Sequence, residues 1–212
     1  EAVGAARSVG RIAAGLAAIL IALAAMLAAF EAWRVMTARA RTPDLIAGVL
    51  AHADPQLARI PRAWLDAMLA VEDPSFYAND GLDFKTPGQG RTTLTQGIAK
   101  RLYFTRFKPG FAKIELMLDA RFALTPLVSK QDILRASLVL AYFGRDKAGP
   151  VIGFAEAARR WYGVELSDLD FDRFLGLVAM LIAPNALDPA AHGEANAERV
   201  ERIKRLLAHE CR

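Results

Sequence analysis

The chain has 212 residues, of which 54% are hydrophobic and 24% charged, a formal net charge of +4 and a mean hydropathy of +0.21. These values exclude a disordered chain, a collagen-like chain and a polytopic transporter, and leave room for one domain with a sizeable core plus a small appendage. One cysteine, Cys211, excludes an intramolecular disulfide framework and a cysteine-based metal cluster.

The apolar excess is local. Ile12 to Phe30 carries no charge, with Arg7 and Arg11 before it and Glu31, Arg34, Arg39 and Arg41 after. A helix of this length spans roughly 28 Å, which predicts a single membrane anchor over residues 12–30 behind a flank at 1–11. A cleaved signal peptide, with Ala22-Leu23-Ala24 as its small-residue site, and a buried core helix are the alternatives. The flanking arginines do not select an orientation. The bases are spread out, so an anionic membrane surface or an anionic lipid fits the charge as well as nucleic acid does.

Residues 31–60 read as a connector broken by Thr42-Pro43 and Asp54-Pro55, and a domain is expected over 61–212. Pro61 suits a first helical residue before the stripe Trp64, Leu65, Met68, Leu69 and Val71. Residues 73–91, rich in Pro and Gly, read as loop. Helices are then expected from Thr92 to Phe104, from Phe111 to Leu124, and from a Ser129 cap through Phe143. Further ones run from Gly153 to Tyr162, from a Ser167 cap to Ala183 before Pro184, and from Glu194 to His209. The apolar residues of 169–183 cover more than one face, as in a central core helix. With no alternating strand pattern, the fold class is all-α or mainly α.

Two segments carry chemistry. Glu72-Asp73 ends an apolar helix at once before a Pro/Gly loop, at the unfavourable end of the helix dipole. A glutamate there, backed by Trp64, Met68 and Phe76, has a raised pKa and the makings of a general base, although a solvated helix end has the same composition. Gly90-Arg91-Thr92-Thr93-Leu94-Thr95-Gln96 opens a helix whose free N–H groups suit an anion, or is simply a threonine N-cap. Lys100, Arg101 and Lys113 follow, with Glu115 on the next helix. His52, His192 and His209 are scattered, and no nucleophile elbow, Walker loop or Cys–His pair is present.

In order over about residues 61–187, these segments resemble glycosyltransferase family 51, the peptidoglycan transglycosylase module of monofunctional transglycosylases and class A penicillin-binding proteins. Glu72-Asp73-x-x-Phe76-x-x-x-x-Gly81 is similar to the family's E-D-x-x-F-x-x-H-x-G, and Gly90 to Gln96 with Ile98-Ala99-Lys100 to its G-x-S-T-I-T-Q-Q and L-A-K. Glu115 falls on the glutamate of R-K-x-x-E, and Ser129 to Leu134, Tyr142-Phe143-Gly144, Ala157 to Gly163 and Pro184-Asn185 follow the later landmarks. The departures are Asn79 for His, Thr92 for Ser, Gly97 for the second Gln, Phe111-Ala112 for Arg-Lys, Val139 for Asn, and a short Leu82 to Gln89 segment.

The resemblance implies a lysozyme-like helical transglycosylase domain behind one transmembrane helix. It implies an inverting glycosyltransferase that polymerises a lipid-linked disaccharide and releases polyprenyl pyrophosphate. Glu72 and Glu115 would be catalytic. Asp73, Phe76, Asn79, Arg91, Thr92, Thr93, Thr95, Gln96, Lys100, Arg101 and Lys113 would bind substrate. No cofactor is required, a divalent cation is optional, and no metal-ligand cluster is expected. The implied partners are the lipid-linked saccharide, the membrane and other envelope-synthesis proteins, not nucleic acid. The implied location is the bacterial inner membrane, single-pass, with the catalytic domain outside. Lys85-Thr86-Pro87-Gly88 only resembles a penicillin-binding K-T-G triad, so a monofunctional enzyme is expected. A catalytically reduced relative that binds lipid-linked saccharide or acts as a scaffold, and a glycan hydrolase with one catalytic glutamate, are the competing readings.

Overall fold

A computed structural model describes residues 2–86 and 92–208. It is mainly helical, as the apolar periodicity predicts, with one long apolar N-terminal helix leading into a helical domain. That helix, α1, runs unbroken from Ala2 to Ala51. Its side chains from Leu16 to Phe30 are exposed, Ile21 to 70%, which leaves a rod that only an apolar solvent would cover.

The connector expected over 31–60 is therefore the second half of α1 followed by a 3-10 turn, Pro55–Arg59. From Glu31 onward one face is buried: Glu31, Val35, Ala38, Thr42 and Ile46, at helical spacing. Pro43 removes one backbone donor but does not break the helix. The fully buried Thr42 hydroxyl donates to the Ala38 carbonyl at 2.8 Å and pairs with the Tyr103 hydroxyl at 2.7 Å, so tertiary contacts hold the turn that the sequence reads as a break.

α2 (Arg62–Glu72) and α3 (Leu94–Tyr103) flank the Pro/Gly loop. α4 (Phe111–Leu118) continues through a π segment, Asp119–Leu124, into the turn before α5 (Lys130–Leu140). The π segment packs on α1, α3 and α4. α5 stops earlier than expected, because residues 142–152 form an antiparallel hairpin, β1 (Tyr142–Asp146) and β2 (Gly149–Ile152). Phe143 and Val151 are fully buried, and the Asp146 carboxylate accepts from Ala148 N at 2.8 Å and Gly149 N at 3.1 Å to close the turn. Gly144, at φ 87°, lies where a Cβ would stand 2.8 Å from Asn185 Oδ1, so the strand tolerates only glycine there.

α6 (Phe154–Ala157) runs into a second π turn, Ala158–Tyr162, and α7 (Phe171–Met180) follows a 3-10 turn, Leu166–Asp168. The cap of α7 is Asp170, whose carboxylate accepts from Arg173 N at 2.8 Å; Ser167 lies in the preceding turn instead. α7 is the central helix that its all-round apolar pattern implies. Phe174, Leu175, Leu177, Val178, Ala179 and Met180 are buried, with Phe154 stacked at 5.6 Å and Trp64 tilted at 5.2 Å from the Phe174 ring. α8 (Gly193–Leu207) closes the domain against α7 and α2 through Val200 and Ile203.

One ion cluster joins α1 to the domain. Arg34 donates to Asp119 Oδ2 at 2.8 Å, to the Glu115 carbonyl at 3.1 Å and to Glu31 Oε2 at 3.0 Å. Asp119 is fully buried, and burial pushes its pKa up against the pull of Arg34. Replacing Arg34 by Met strands that carboxylate, so unfolding of the detergent-solubilised protein is expected to require about 3 kcal/mol less, measured by chemical denaturation; Arg34→Lys recovers part of it. A loss within experimental error would show the cluster to be idle.

Candidate active site

The loop after α2 is organised by its one fully buried carboxylate. Asp73 Oδ2 accepts from Leu94 N at 2.9 Å, at the first turn of α3, and Oδ1 accepts from Asn79 Nδ2 at 2.9 Å. Thr93 completes the helix start as a capping box with Gln96: Thr93 Oγ1 accepts from Gln96 N at 3.1 Å, and Gln96 Oε1 accepts from Thr93 N at 3.0 Å. The Thr93 hydroxyl donates in turn to the Gly81 carbonyl at 2.7 Å. The protein's own Asp73 carboxylate is thus seated at the N-terminus of α3, beside the Thr93 cap.

Asn79 is used on both sides. Its amide nitrogen donates to Asp73 and to Ser75 Oγ at 3.0 Å, while its oxygen accepts from Gly81 N at 3.0 Å and Lys130 Nζ at 3.2 Å. Phe76 is buried under Lys130, whose ammonium lies 4.6 Å from the ring centroid. Asp73, Phe76, Asn79 and Gln96 therefore shape the loop from within. Thr95 is fully buried, with no hydrogen-bond partner for its hydroxyl among the described residues. Arg91 lies outside the described residues.

Glu72, one residue before the anchored Asp73, faces the other way. It lines a cleft of about 280 Å³ with Met68, Thr92, Thr93, Gly97, Arg101 and Tyr142. It is the only carboxylate among that cleft's described lining residues. Burial pushes its pKa up to about 7, with Arg199 pulling it back and Asp73 adding to the rise. A Cβ on Gly97 would meet nothing within 4 Å, so the departure from the second Gln leaves this wall open.

Positive charge lines one end. Arg101 and Tyr142 are shared with an adjoining pocket of about 410 Å³ that also takes in Lys100, Phe104 and Phe107. Lys100 Nζ lies 4.7 Å from the Phe107 ring centroid and the Arg101 guanidinium 5.5 Å from that of Tyr142. Across from them on α4, Lys113 Nζ donates to Thr92 Oγ1 at 3.1 Å, and its pKa is lowered by burial and by Lys100. The structure thus brings Glu72, Thr92, Thr93 and Arg101 to one cleft, with Lys100 in the adjoining pocket and Lys113 bonded to Thr92 at the edge.

Glu115 is placed apart. It is half-buried on α4, does not line the cleft, and its carbonyl receives Arg34. Two residues from Lys113, its side chain leaves a different face of the helix. Among the described residues no three His, Cys, Asp or Glu side chains gather as a metal site. Three contributors were not singled out from sequence: Arg199, Lys130 and Tyr142. Lys130 and Tyr142 stand in the S-K-x-x-I-L and Y-F-G landmarks, which was the available signal; nothing near Arg199 in the chain points to Glu72.

Comparison with known proteins identifies the family of the chain. The family model described as Transglycosylase matches residues 49–208, starting upstream of the boundary expected at 61. Penicillin-binding protein 1B of Vibrio cholerae is 29% identical over 167 residues, covering 70% of this chain and 21% of that protein. Penicillin-binding protein 1F of Bacillus subtilis is 30% identical over 161 residues, covering 70% of this chain and 22% of its own. A Cupriavidus necator protein provisionally named a transglycosylase is 29% identical over 205 residues, covering 89% of this chain and 82% of its own. The chain thus spans about a fifth of the length of these penicillin-binding relatives and most of the Cupriavidus one.

The raised carboxyl of Glu72 has a stability consequence. Below its ordinary value of 4.5 both folded and unfolded states hold the proton; between there and about 7 only the folded state does, so stability falls as pH rises. Above that range the folded protein carries a desolvated charge. Glu72→Gln is therefore expected to match the wild type at pH 4 and to be more stable at pH 8, by at most about 3 kcal/mol, in thermal melts of the solubilised protein. Equal melting at both pH values would contradict the shift.

Proposed function

The chain belongs to the transglycosylase family, and on that premise we propose that it is a membrane-anchored peptidoglycan glycosyltransferase that joins lipid-linked disaccharides into glycan with release of polyprenyl pyrophosphate. The observation that carries the reading is Glu72: a largely buried carboxyl with its pKa pushed up to about 7, in a cleft that has cations at one end. A base poised at working pH is half available and still basic enough to take a proton.

In the proposed step the acceptor's sugar hydroxyl gives its proton to Glu72 as its oxygen attacks the donor's anomeric carbon. The bond from that carbon to the pyrophosphate oxygen breaks on the opposite face, which inverts the configuration. The electron pair leaves with the pyrophosphate, where Lys100, Arg101 and Lys113 supply charge stabilisation. Protonated Glu72 then returns its proton to solvent. A pyrophosphate is a good leaving group when neutralised, so no second carboxylic acid is needed. A cation travelling with the pyrophosphate would add to the same charge balance, and no other cofactor enters.

Glu72 is the only carboxylate among the described lining residues, which weighs against a hydrolase of the kind that flanks the scissile bond with a carboxyl pair. Retention of a desolvated glutamate in an open cleft weighs against a purely binding role. Glu115 meets Arg34 only through its backbone carbonyl and does not line the cleft with Glu72, so the proposed proton transfer runs through Glu72 alone. The long apolar helix supports anchoring by a single pass, and the proposal places that anchor in the bacterial inner membrane with the domain on the outer side, where glycan is polymerised.

Incubating the purified chain with a labelled lipid-linked disaccharide is expected to give a ladder of glycan. Glu72→Gln should lower turnover by about 10² to 10⁴ while substrate binding persists. Unchanged turnover in that variant, or cleavage of preformed glycan without ladders, would overturn the reading.

A further inference from the structure

Outside the cleft, a large apolar depression lies where α1 leaves its exposed stretch. It holds about 770 Å³ between Ala28, Ala32 and Met36 of α1 and Leu118 and Phe122 of the α4–π segment. Among its described lining residues Arg39 is the one cation and Glu31, paired with Arg34, the one carboxylate; the Arg39 guanidinium donates to the Phe122 carbonyl.

The groove does not stand alone. Phe111, Ile114, Leu118 and Phe122 follow one another at i, i+3, i+7 and i+11, so they form a stripe along a single face of α4 and its continuation. Phe111, Ile114 and Phe122 are 53%, 51% and 48% exposed, which is costly in water unless something apolar covers them. The stripe begins in the same helical turn as Lys113, which bonds Thr92 at the cleft and feels the charge of Lys100. From Lys113 to Phe122 the helix advances about 14 Å, a distance a few isoprene units cover. Cations thus mark one end of an apolar track, and the wall formed by the anchor helix marks the other.

From this juxtaposition we propose that the track from Phe111 to the Ala32–Phe122 groove binds the polyprenyl chain of the lipid-linked substrate, leading it from the pyrophosphate at the cleft mouth to the hydrocarbon around α1. This rests on the glycosyl-transfer reading. A single amphiphile explains both ends at once: its pyrophosphate meets Lys100 and Lys113, and its tail covers the stripe. A protein partner would explain neither the adjacency to the cations nor the continuity of the groove with the exposed rod of α1. The track also makes chain length a recognised feature, since a tail of one or two isoprene units stops short of Phe122.

Two measurements on the full chain in detergent test this. In the first, a polyprenyl pyrophosphate with a diazirine several isoprene units from the phosphate is photolysed with the protein. Label is expected on peptides containing Ala32 or Phe122, and Ala32→Trp, at an exposed position that fills the groove without entering the core, should abolish it. In the second, kinetics are compared on disaccharide substrates with a long and a two-isoprene tail. Ala32→Trp and Ile114→Ser should raise KM for the long-tailed substrate about tenfold and leave kcat, and the short-tailed substrate, unchanged. Equal effects on both substrates, no effect on either, or labelling equally blocked by phosphatidylglycerol would overturn the proposal, the last in favour of bulk lipid. Labelling without any turnover would leave the track standing and sink the transferase reading; turnover without labelling or length discrimination would do the reverse.

Discussion

The fully buried carboxylate of Asp73 is the contact on which the geometry of the site depends. A charge in that position is tolerable only with donors on both oxygens, and it has them: Leu94 N at the start of α3 and the Asn79 amide. The pair of bonds closes the Pro/Gly loop onto α3 and thereby aims the residue before it. Two adjacent carboxylates end in opposite situations. Asp73 is satisfied by backbone and amide donors, whereas Glu72 is desolvated at the cleft wall and pushed up to about 7. That division gives one residue a structural task and leaves the other free for proton transfer.

The second organising feature is the continuity of α1. Because the helix does not break at Pro43, the part exposed from Leu16 to Phe30 and the part docked from Glu31 onward are one rigid body. Arg34 locks that body to α4 and the π segment through Asp119 and the Glu115 carbonyl. α4 is therefore held at its C-terminal end by the anchor while its first turn offers Lys113 to the cleft. For a bilayer around the exposed stretch, the height and tilt of the cleft would then be set by this packing.

Much of this was legible in the chain. The stripe of α2, the Ser129 cap of α5, the all-round apolar pattern of α7 and the carboxylate pair at the end of α2 each carry a local signal. The hairpin was not legible, because its buried residues Phe143 and Gly144 are consecutive and its turn is closed by a side chain, Asp146, in place of an Asn-Gly pair. The helix through Pro43 depends on Thr42 meeting Tyr103, and the cap of α7 falls at Asp170 rather than at the expected Ser167, a difference that only context decides. At the site, residue type identified Glu72 and the cations, but not that Asp73, Asn79 and Gln96 turn inward. Nor did it reveal Arg199, which reaches the field of Glu72 only because α8 packs on α2.

The claim that most needs testing is that Glu72 is the proton acceptor at its shifted value. The pH dependence of kcat/KM for glycan polymerisation reports the free enzyme's essential base. An acid limb with its midpoint near 7, falling about tenfold per pH unit below it, is the predicted result, in keeping with the raised carboxyl. A profile that stays flat down to about pH 5, as an unshifted glutamate would give, would contradict it.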